Sequence, residues 1–294
     1  MKNLAAKLRR VGLVANPEKP GMQDLTRRLA TALRRAGRVV VADEVAARML
    51  GPRIKAGGSI ADLARSTDLL LVLGGDGTML RAAREVAGSP TPLFGINAGT
   101  LGFLTAVSPD EVSQALKQLW SGAFRIEERS LLEGVVIRSQ EQTSLLALND
   151  FVVGRGLTSR LIELEVTVNG ELLTRYRCDG LIASSPTGST AYSLAAGGAI
   201  VSPDAEVLTL TPICPHTLSI RPVVVSLNAT VEVRSVSARQ VATLAADGQH
   251  HVELSAGDVV TIRRSARSVR LIRLQGTNFF STLRQKFGWS GSNV

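Results

Sequence analysis

The run Leu69-Leu70-Leu71-Val72-Leu73 has no polar residue at any position and passes directly into Gly74-Gly75-Asp76-Gly77-Thr78. A strand that is apolar on both sides must be covered on both, as in parallel sheets sandwiched between helices, and not in sheets with one wet face. Val11 to Ala15, Arg38 to Val41 and Pro92 to Ile96 read as further strands. Between the first two, Met22, Leu25, Leu29, Leu33 and Ala36 recur at steps of three and four, the buried stripe of one helix. Ligands of such sheets collect at the carboxyl ends of the strands, and Gly74 to Thr78 falls at one of those ends.

The pattern changes further along. Ser108-Pro109-Asp110-Glu111 reads as a capping box with proline at the first helical position, opening a helix to about Trp120. From Ile126 onward short alternating strands take over, with hairpin signals at Asn169-Gly170, after the strand Glu163 to Val168, and at Asp247-Gly248. Near the end Phe279, Phe280, Leu283 and Phe287 recur at helical spacing within Thr277 to Trp289. The expectation is a Rossmann-like parallel α/β domain over residues 1–124, rejoined by a terminal helix over 275–294, and a mainly β domain, a β-sandwich, over 125–274.

Composition removes several classes. Cys178 and Cys214 are far apart in sequence and belong to no Cys-x-x-Cys, so neither a disulfide framework nor a structural zinc site is indicated, and a reducing cytoplasm is expected. No apolar run approaches the roughly 18 residues that span a bilayer, and no signal core follows the amino terminus, so no membrane partner is expected. The net charge of +9 invites a polyanion. Residues 1–38 carry ten Lys or Arg against Glu18 and Asp24, yet the first aromatic is Phe94, so no stacking platform for nucleic acid accompanies that charge. A small polyanionic substrate uses the same field.

In the glycine turn, N-H groups at a helix start suit phosphate oxygens, whereas Asp76 repels them and suits a different task, taking a proton from a hydroxyl. The pairing points to a kinase acting on an alcohol. Arg81, one turn on, either reaches a phosphate or faces solvent. A second cluster runs from Asp179 through Thr187, Thr190, Ala191, Tyr192 and Ser193: a strand, a hydroxyl-rich turn, then a small-residue helix, suited to a purine edge, ribose or phosphate. Asn149-Asp150 sits between Leu145 to Leu148 and Phe151 to Val153, a mid-strand setting whose polar groups need either a ligand or the backbone of a bulge. His216, beside Cys214 and Pro215, reads as a packed structural histidine, and His250 and His251 as exposed. No Walker lysine loop or hydrolase motif is present.

With these segments together, the chain resembles the bacterial-type ATP-dependent NAD kinases over most of its length. The resemblance rests on Gly-Gly-Asp-Gly-Thr at 74–78, Asn-Asp at 149–150, the run Asp-Gly-Leu-Ile-Ala-Ser-Ser-Pro-Thr-Gly-Ser-Thr-Ala-Tyr-Ser at 179–193, Pro215 to Ser219 with Arg221-Pro222, and Asp247-Gly248-Gln249. The first motif is shared with lipid and sugar-phosphate kinases; the others narrow the family. It implies phosphorylation of the 2'-hydroxyl of the adenosine ribose of NAD, with ATP or polyphosphate as donor and a divalent metal, normally magnesium, on the donor. Asp76 would be the base. Gly77, Asn149, Asp150, Asp179, Thr187, Thr190, Ala191, Tyr192 and Ser193 would hold NAD, with Arg81, Arg160, Arg177 and Gln249 at matching positions suited to a pyrophosphate or ribose. The family usually has glutamate where this chain has Asp150, which shortens that arm by roughly 1.5 Å. The resemblance also implies a homo-oligomer, dimer or tetramer, in which the second motif of one subunit completes a neighbour's site. Two rivals stand beside this reading: a lipid kinase sharing the glycine turn, and a non-catalytic basic nucleotide-binding protein.

Overall fold

The computed structural model describes residues 2–52, 54–99, 102–105, 107–138, 141–156, 160–236 and 241–289. By its internal contacts the chain divides into residues 1–128 with 268–294, and residues 129–267.

In the first unit α1 (Lys2–Lys7), β1 (Arg10–Ala15), α2 (Met22–Arg35), β2 (Val39–Ala42), α3 (Glu44–Leu50), α4 (Ile60–Ser66), β3 (Leu69–Gly74), α5 (Asp76–Glu85), β4 (Leu93–Asn97) and α6 (Val112–Ser121) follow one another. The strands form a parallel sheet in the order β2-β1-β3-β4, the α/β arrangement read from the apolar runs. β3 and β4 are buried throughout and β1 from Val11 onward, and Met22, Leu25, Leu29 and Leu33 of α2 are all buried with them. The expected helix at Ser108 begins later, at Val112. Ser108 does bond the Glu111 carboxylate, through its N-H at 3.0 Å and its hydroxyl at 2.7 Å, but Pro109 to Glu111 form a turn ahead of the helix and do not make its first turn.

The second unit holds β5 (Phe124–Arg138), which begins in the first, then β6 (Glu141–Ala147), β7 (Asp150–Arg155), β8 (Ile162–Val168), β9 (Glu171–Cys178), β10 (Gly180–Ser184), a 3-10 turn (Thr187–Thr190), α7 (Tyr192–Ala195), β11 (Val207–Ile213), β12 (Val223–Ser226), β13 (Val231–Ser235), β14 (Ala242–Ala246), β15 (His250–Leu254) and β16 (Val259–Leu274). One sheet runs β12-β11-β10-β7-β14-β15, antiparallel throughout. The other contains β16-β13-β8-β9. Their inner faces share one core, Leu164, Val166 and Val233 from one sheet with Phe151, Val153 and Leu181 from the other, which makes the unit a β-sandwich. The hairpins close where Asn-Gly and Asp-Gly were read, and Asn169, Gly170, Asp247 and Gly248 all have positive φ, as two-residue turns of that type require. Not every strand is short: β5 and β16, at 15 and 16 residues, exceed the expectation because each passes from one unit to the other.

β16 ends in the first unit, where Leu271 pairs in parallel with Leu93. The chain closes with α8 (Phe279–Phe287), capped by Asn278, whose side chain accepts from the Ser281 N-H at 2.8 Å. Leu283 is buried, and Phe279 and Phe287 each contact the Phe103 ring, with centroids 6.1 and 6.3 Å away. The terminal helix thus returns to the first domain.

Candidate functional site

In the first unit, β3 ends at Gly74 and α5 starts at Asp76, so the Asp76 carboxylate stands at the carboxyl edge of the sheet and at the positive end of a helix dipole. The segment after β4 folds back to meet it. Asp76 Oδ2 accepts the Phe103 N-H at 2.9 Å, and Oδ1 accepts the N-H groups of Leu104 and Thr105 at 3.1 and 3.2 Å and the Thr105 hydroxyl at 3.0 Å. Gly102 has to be glycine there: a Cβ would stand 2.0 Å from Asp76 Oδ1. Arg273 of β16 fixes the same segment from behind, donating to the Phe103 carbonyl at 2.7 Å.

Gly77 lies exposed in the first turn of α5, where helix N-H groups can meet an anion. Arg81 is half-exposed and 3.9 Å from the Glu85 carboxylate. It also acts on Asp43, at the carboxyl end of β2. Burial raises that carboxyl above its ordinary value, the Ala46 N-H bond and the Arg81 charge oppose the rise, and Glu85 adds to it. Arg81 is thus an exposed side chain with carboxylates beside it.

In the second unit, Asn149-Asp150 is not in mid-strand. Leu148 and Asn149 form the corner at which the chain leaves β6 in one sheet and starts β7 in the other. What satisfies the corner is Asp247, in the turn between β14 and β15. Its carboxylate accepts the N-H groups of Leu148 at 3.0 Å, Asn149 at 2.8 Å and Asp150 at 3.3 Å, and its own N-H returns to the Asp150 carbonyl at 3.0 Å. The sequence marked Asp247 as a turn residue; nothing in the Asp-Gly signal announced that its carboxylate would bind a segment nearly a hundred residues earlier.

The hydroxyl-rich segment closes on the same corner. The Ser185 N-H donates to the Asn149 carbonyl at 2.8 Å, and the Ser185 hydroxyl donates to the Leu148 carbonyl and accepts from the Gly188 N-H. Gly188 is pressed so closely on Asn149 that a Cβ would meet its carbonyl oxygen at 2.2 Å. Thr187, Thr190 and Ala191 are half-buried beside this contact and Tyr192 is 48% exposed. Ser193, expected to face a ligand, has its side chain fully buried, with the hydroxyl engaged with Thr211 at 3.0 Å. The expected helix is one 3-10 turn followed by the four residues of α7. Gln249 is exposed in the hairpin beyond Asp247.

Burial pushes the Asp150 carboxyl up to about 7, and the neighbouring Asp247 carboxylate pushes in the same direction. Asp150 is thus a carboxyl that changes charge near neutral pH, next to one that collects three N-H groups.

Arg177 and Asp179 lie elsewhere. They precede β10, whereas Ser184 and the Asn149 corner lie at its far end, a separation of roughly 13 Å for five residues of strand. At this end Asp179 pairs with Arg155 at 2.9 Å, Arg177 is exposed, and the Arg177 carbonyl accepts the His216 N-H at 2.9 Å. The His216 side chain is exposed, correcting the reading of it as packed; its neighbour Cys214 turns the chain outward with φ 45°. Arg160 is exposed just before β8. The residues expected around one dinucleotide therefore fall, within this unit, into two groups at opposite ends of β10.

The comparisons with known proteins concern the chain as a whole. Residues 11–124 match the family model of the ATP-NAD kinase N-terminal domain, and residues 148–274 that of the ATP-NAD kinase C-terminal domain. The NAD kinase of Thiobacillus denitrificans is 44% identical over 95% of this chain and 96% of its own length, and that of Moorella thermoacetica 45% over 97% and 91%. Among solved structures, yeast NADH kinase complexed with NADH superposes with a TM-score of 0.89 at 27% identity over 98% of this chain and 90% of that one. An NAD kinase from Archaeoglobus fulgidus in complex with ATP gives 0.75 at 29% over 95% and 97%.

Proposed function

The chain belongs to the NAD kinase family, and we propose that Asp76 is the general base of its reaction. The protein is an NAD kinase: it moves the γ-phosphoryl group of ATP to the 2'-hydroxyl of the adenosine ribose of NAD. An alcohol is too weak an acid to attack unaided. As the ribose oxygen bonds to the γ-phosphorus and the bond to ADP breaks, the hydroxyl proton passes to the Asp76 carboxylate, leaving NADP and ADP. The observation that carries this reading is the Asp76 carboxylate at the carboxyl edge of the parallel sheet, fixed by four donors of residues 103–105.

Roles for the other residues follow from their surroundings. N-H groups of the Gly74 to Thr78 turn receive donor phosphates. Asn149, Asp150, Thr187, Thr190, Ala191 and Tyr192, drawn to one corner by Asp247 and Gly188, receive the NAD ribose and base, and a neutral Asp150 can donate a hydrogen bond there. A divalent ion such as magnesium, bound with the triphosphate as part of the substrate, would neutralise phosphate charge, since such ions are commonly held by phosphates and one or two carboxylates. Among the described residues no group of three or more His, Cys, Asp or Glu forms a cage for it.

The separation of Arg177 and Asp179 from the Asn149 corner supports a homo-oligomer in which a second copy brings these two to the dinucleotide. The enzyme acts in the cytoplasm. Among the described residues no helix is long and apolar enough to cross a membrane.

A matrix of NAD, NADH or diacylglycerol vesicles against ATP or polyphosphate, with the phosphorylated position read by phosphorus NMR, tests the reaction. NADP formed from NAD and ATP is the expected product; phosphorylated diacylglycerol in its place would make the protein a lipid kinase.

A further inference from the structure

The four donors on Asp76 are unequally shared. An ionised carboxylate offers about two lone-pair positions on each oxygen. Among the described residues Oδ1 receives three donors, the N-H groups of Leu104 and Thr105 and the Thr105 hydroxyl, while Oδ2 receives one, the Phe103 N-H. The Thr105 hydroxyl makes the shortest of the three bonds, at 3.0 Å against 3.1 and 3.2 Å for the N-H groups, which share what it leaves of Oδ1. The hydroxyl that completes the set belongs to a fully buried residue whose orientation is fixed by packing: the space a Cβ would need at Gly95, on β4, is occupied at 2.9 Å by the Thr105 Cγ2 methyl. With the methyl held against β4, the hydroxyl faces Asp76. The segment is stiffened further by Arg273 on the Phe103 carbonyl and by the rings of Phe279 and Phe287 against Phe103.

We infer that Thr105 is a positioning residue for the phosphoryl transfer: by making the shortest bond to Oδ1 of Asp76, its hydroxyl fixes the rotation of the carboxylate and turns Oδ2 toward the ribose hydroxyl as the oxygen that takes the proton. The inference rests on Asp76 being the base. Thr105 touches neither substrate nor donor in this account; it fixes the angle at which the base meets the alcohol. Proximity effects of this kind are steep, and misplacement of a reacting group by about 1 Å costs on the order of 100-fold in rate. In Thr105→Val the packing methyl stays and the hydroxyl becomes a methyl; in Thr105→Ser the hydroxyl stays.

The test measures kcat, KM for NAD and ATP, and NAD affinity by calorimetry for the wild type, Thr105→Val, Thr105→Ser, Asp76→Asn and the double variant Asp76→Asn with Thr105→Val. Thr105→Val is expected to lower kcat roughly 10- to 100-fold with NAD affinity changed less than about threefold, and Thr105→Ser to recover most of that rate. The double variant is expected to be no slower than Asp76→Asn, because Thr105 acts through that carboxylate. Should Thr105→Val lose NAD binding, Thr105→Ala takes its place as the hydroxyl deletion. If Asp76→Asn abolishes turnover while both hydroxyl deletions keep wild-type kcat, or if the double variant loses rate multiplicatively, the role of Thr105 is overturned and that of Asp76 stands. Near-normal turnover in Asp76→Asn overturns both.

Discussion

Replacing Asp150 with asparagine should make the protein more stable, in one pH range only. Asp150 is 5% exposed, and burial with the Asp247 charge beside it lifts its carboxyl from the ordinary 3.8 to about 7. In the unfolded chain the group loses its proton near pH 4, and in the folded chain only near 7. Between those values the folded state holds one more proton, so stability falls as pH rises, by about 1.4 kcal/mol per pH unit, and levels off above 7. The whole interval amounts to roughly 4 kcal/mol. Asparagine has nearly the same shape and no proton to lose, so its variant lacks this decline. At pH 4 the two proteins should agree within about 1 kcal/mol, and at pH 8 Asp150→Asn should be the more stable by up to roughly 4 kcal/mol. Urea unfolding of the ligand-free proteins from pH 4 to 8.5, followed by circular dichroism, reads the difference directly. Parallel pH dependences for wild type and variant would refute the account of a neutral carboxyl buried beside Asp247.

Further outcomes follow from the same corner and from the split site. Asp247→Asn keeps the left-handed turn, which asparagine tolerates, but loses an acceptor for the Leu148, Asn149 and Asp150 N-H groups; it should cost about 1.5 to 3 kcal/mol in urea unfolding while moving the Asp150 titration back toward acid, seen by carboxyl NMR. Gly188→Ala drives a Cβ into the Asn149 backbone, which no rotamer can relieve, and should cost about 1 to 3 kcal/mol in urea unfolding and weaken NAD binding at least tenfold by calorimetry. Mixing inactive Asp76→Asn subunits with inactive Asp179→Asn subunits should regain activity, because a mixed oligomer contains one intact shared site; no recovery after subunit exchange would place Asp179 outside the neighbour's site.

The first domain was legible because its physics is local. Buried parallel strands read as unbroken apolar runs, and the four expected ones end within one residue of those observed. The two hairpins announced themselves through asparagine or aspartate before glycine. The site was legible only as a set of segments. The Asp76 bonds cross 27 to 29 residues to Phe103, Leu104 and Thr105, and no periodicity or turn chemistry encodes a contact made when a loop folds back over a helix start. Asp247 was masked by its own turn signal, and Asn149-Asp150 was misread as mid-strand because two strands of different sheets abut there with a two-residue corner. Nor did sequence reveal that Ser193 faces the core, since a hydroxyl in a polar segment reads the same whether it meets Thr211 or a ligand.

The most direct test of the account is single-turnover NADP formation by Asp76→Asn, with NAD binding measured on the same preparation. Asparagine keeps the shape and an acceptor oxygen but cannot accept the ribose proton. General-base removal is expected to slow phosphoryl transfer by about 100- to 10,000-fold while NAD binds within a few-fold of wild type. Transfer at the wild-type rate from a variant that binds NAD normally would contradict Asp76 as the base.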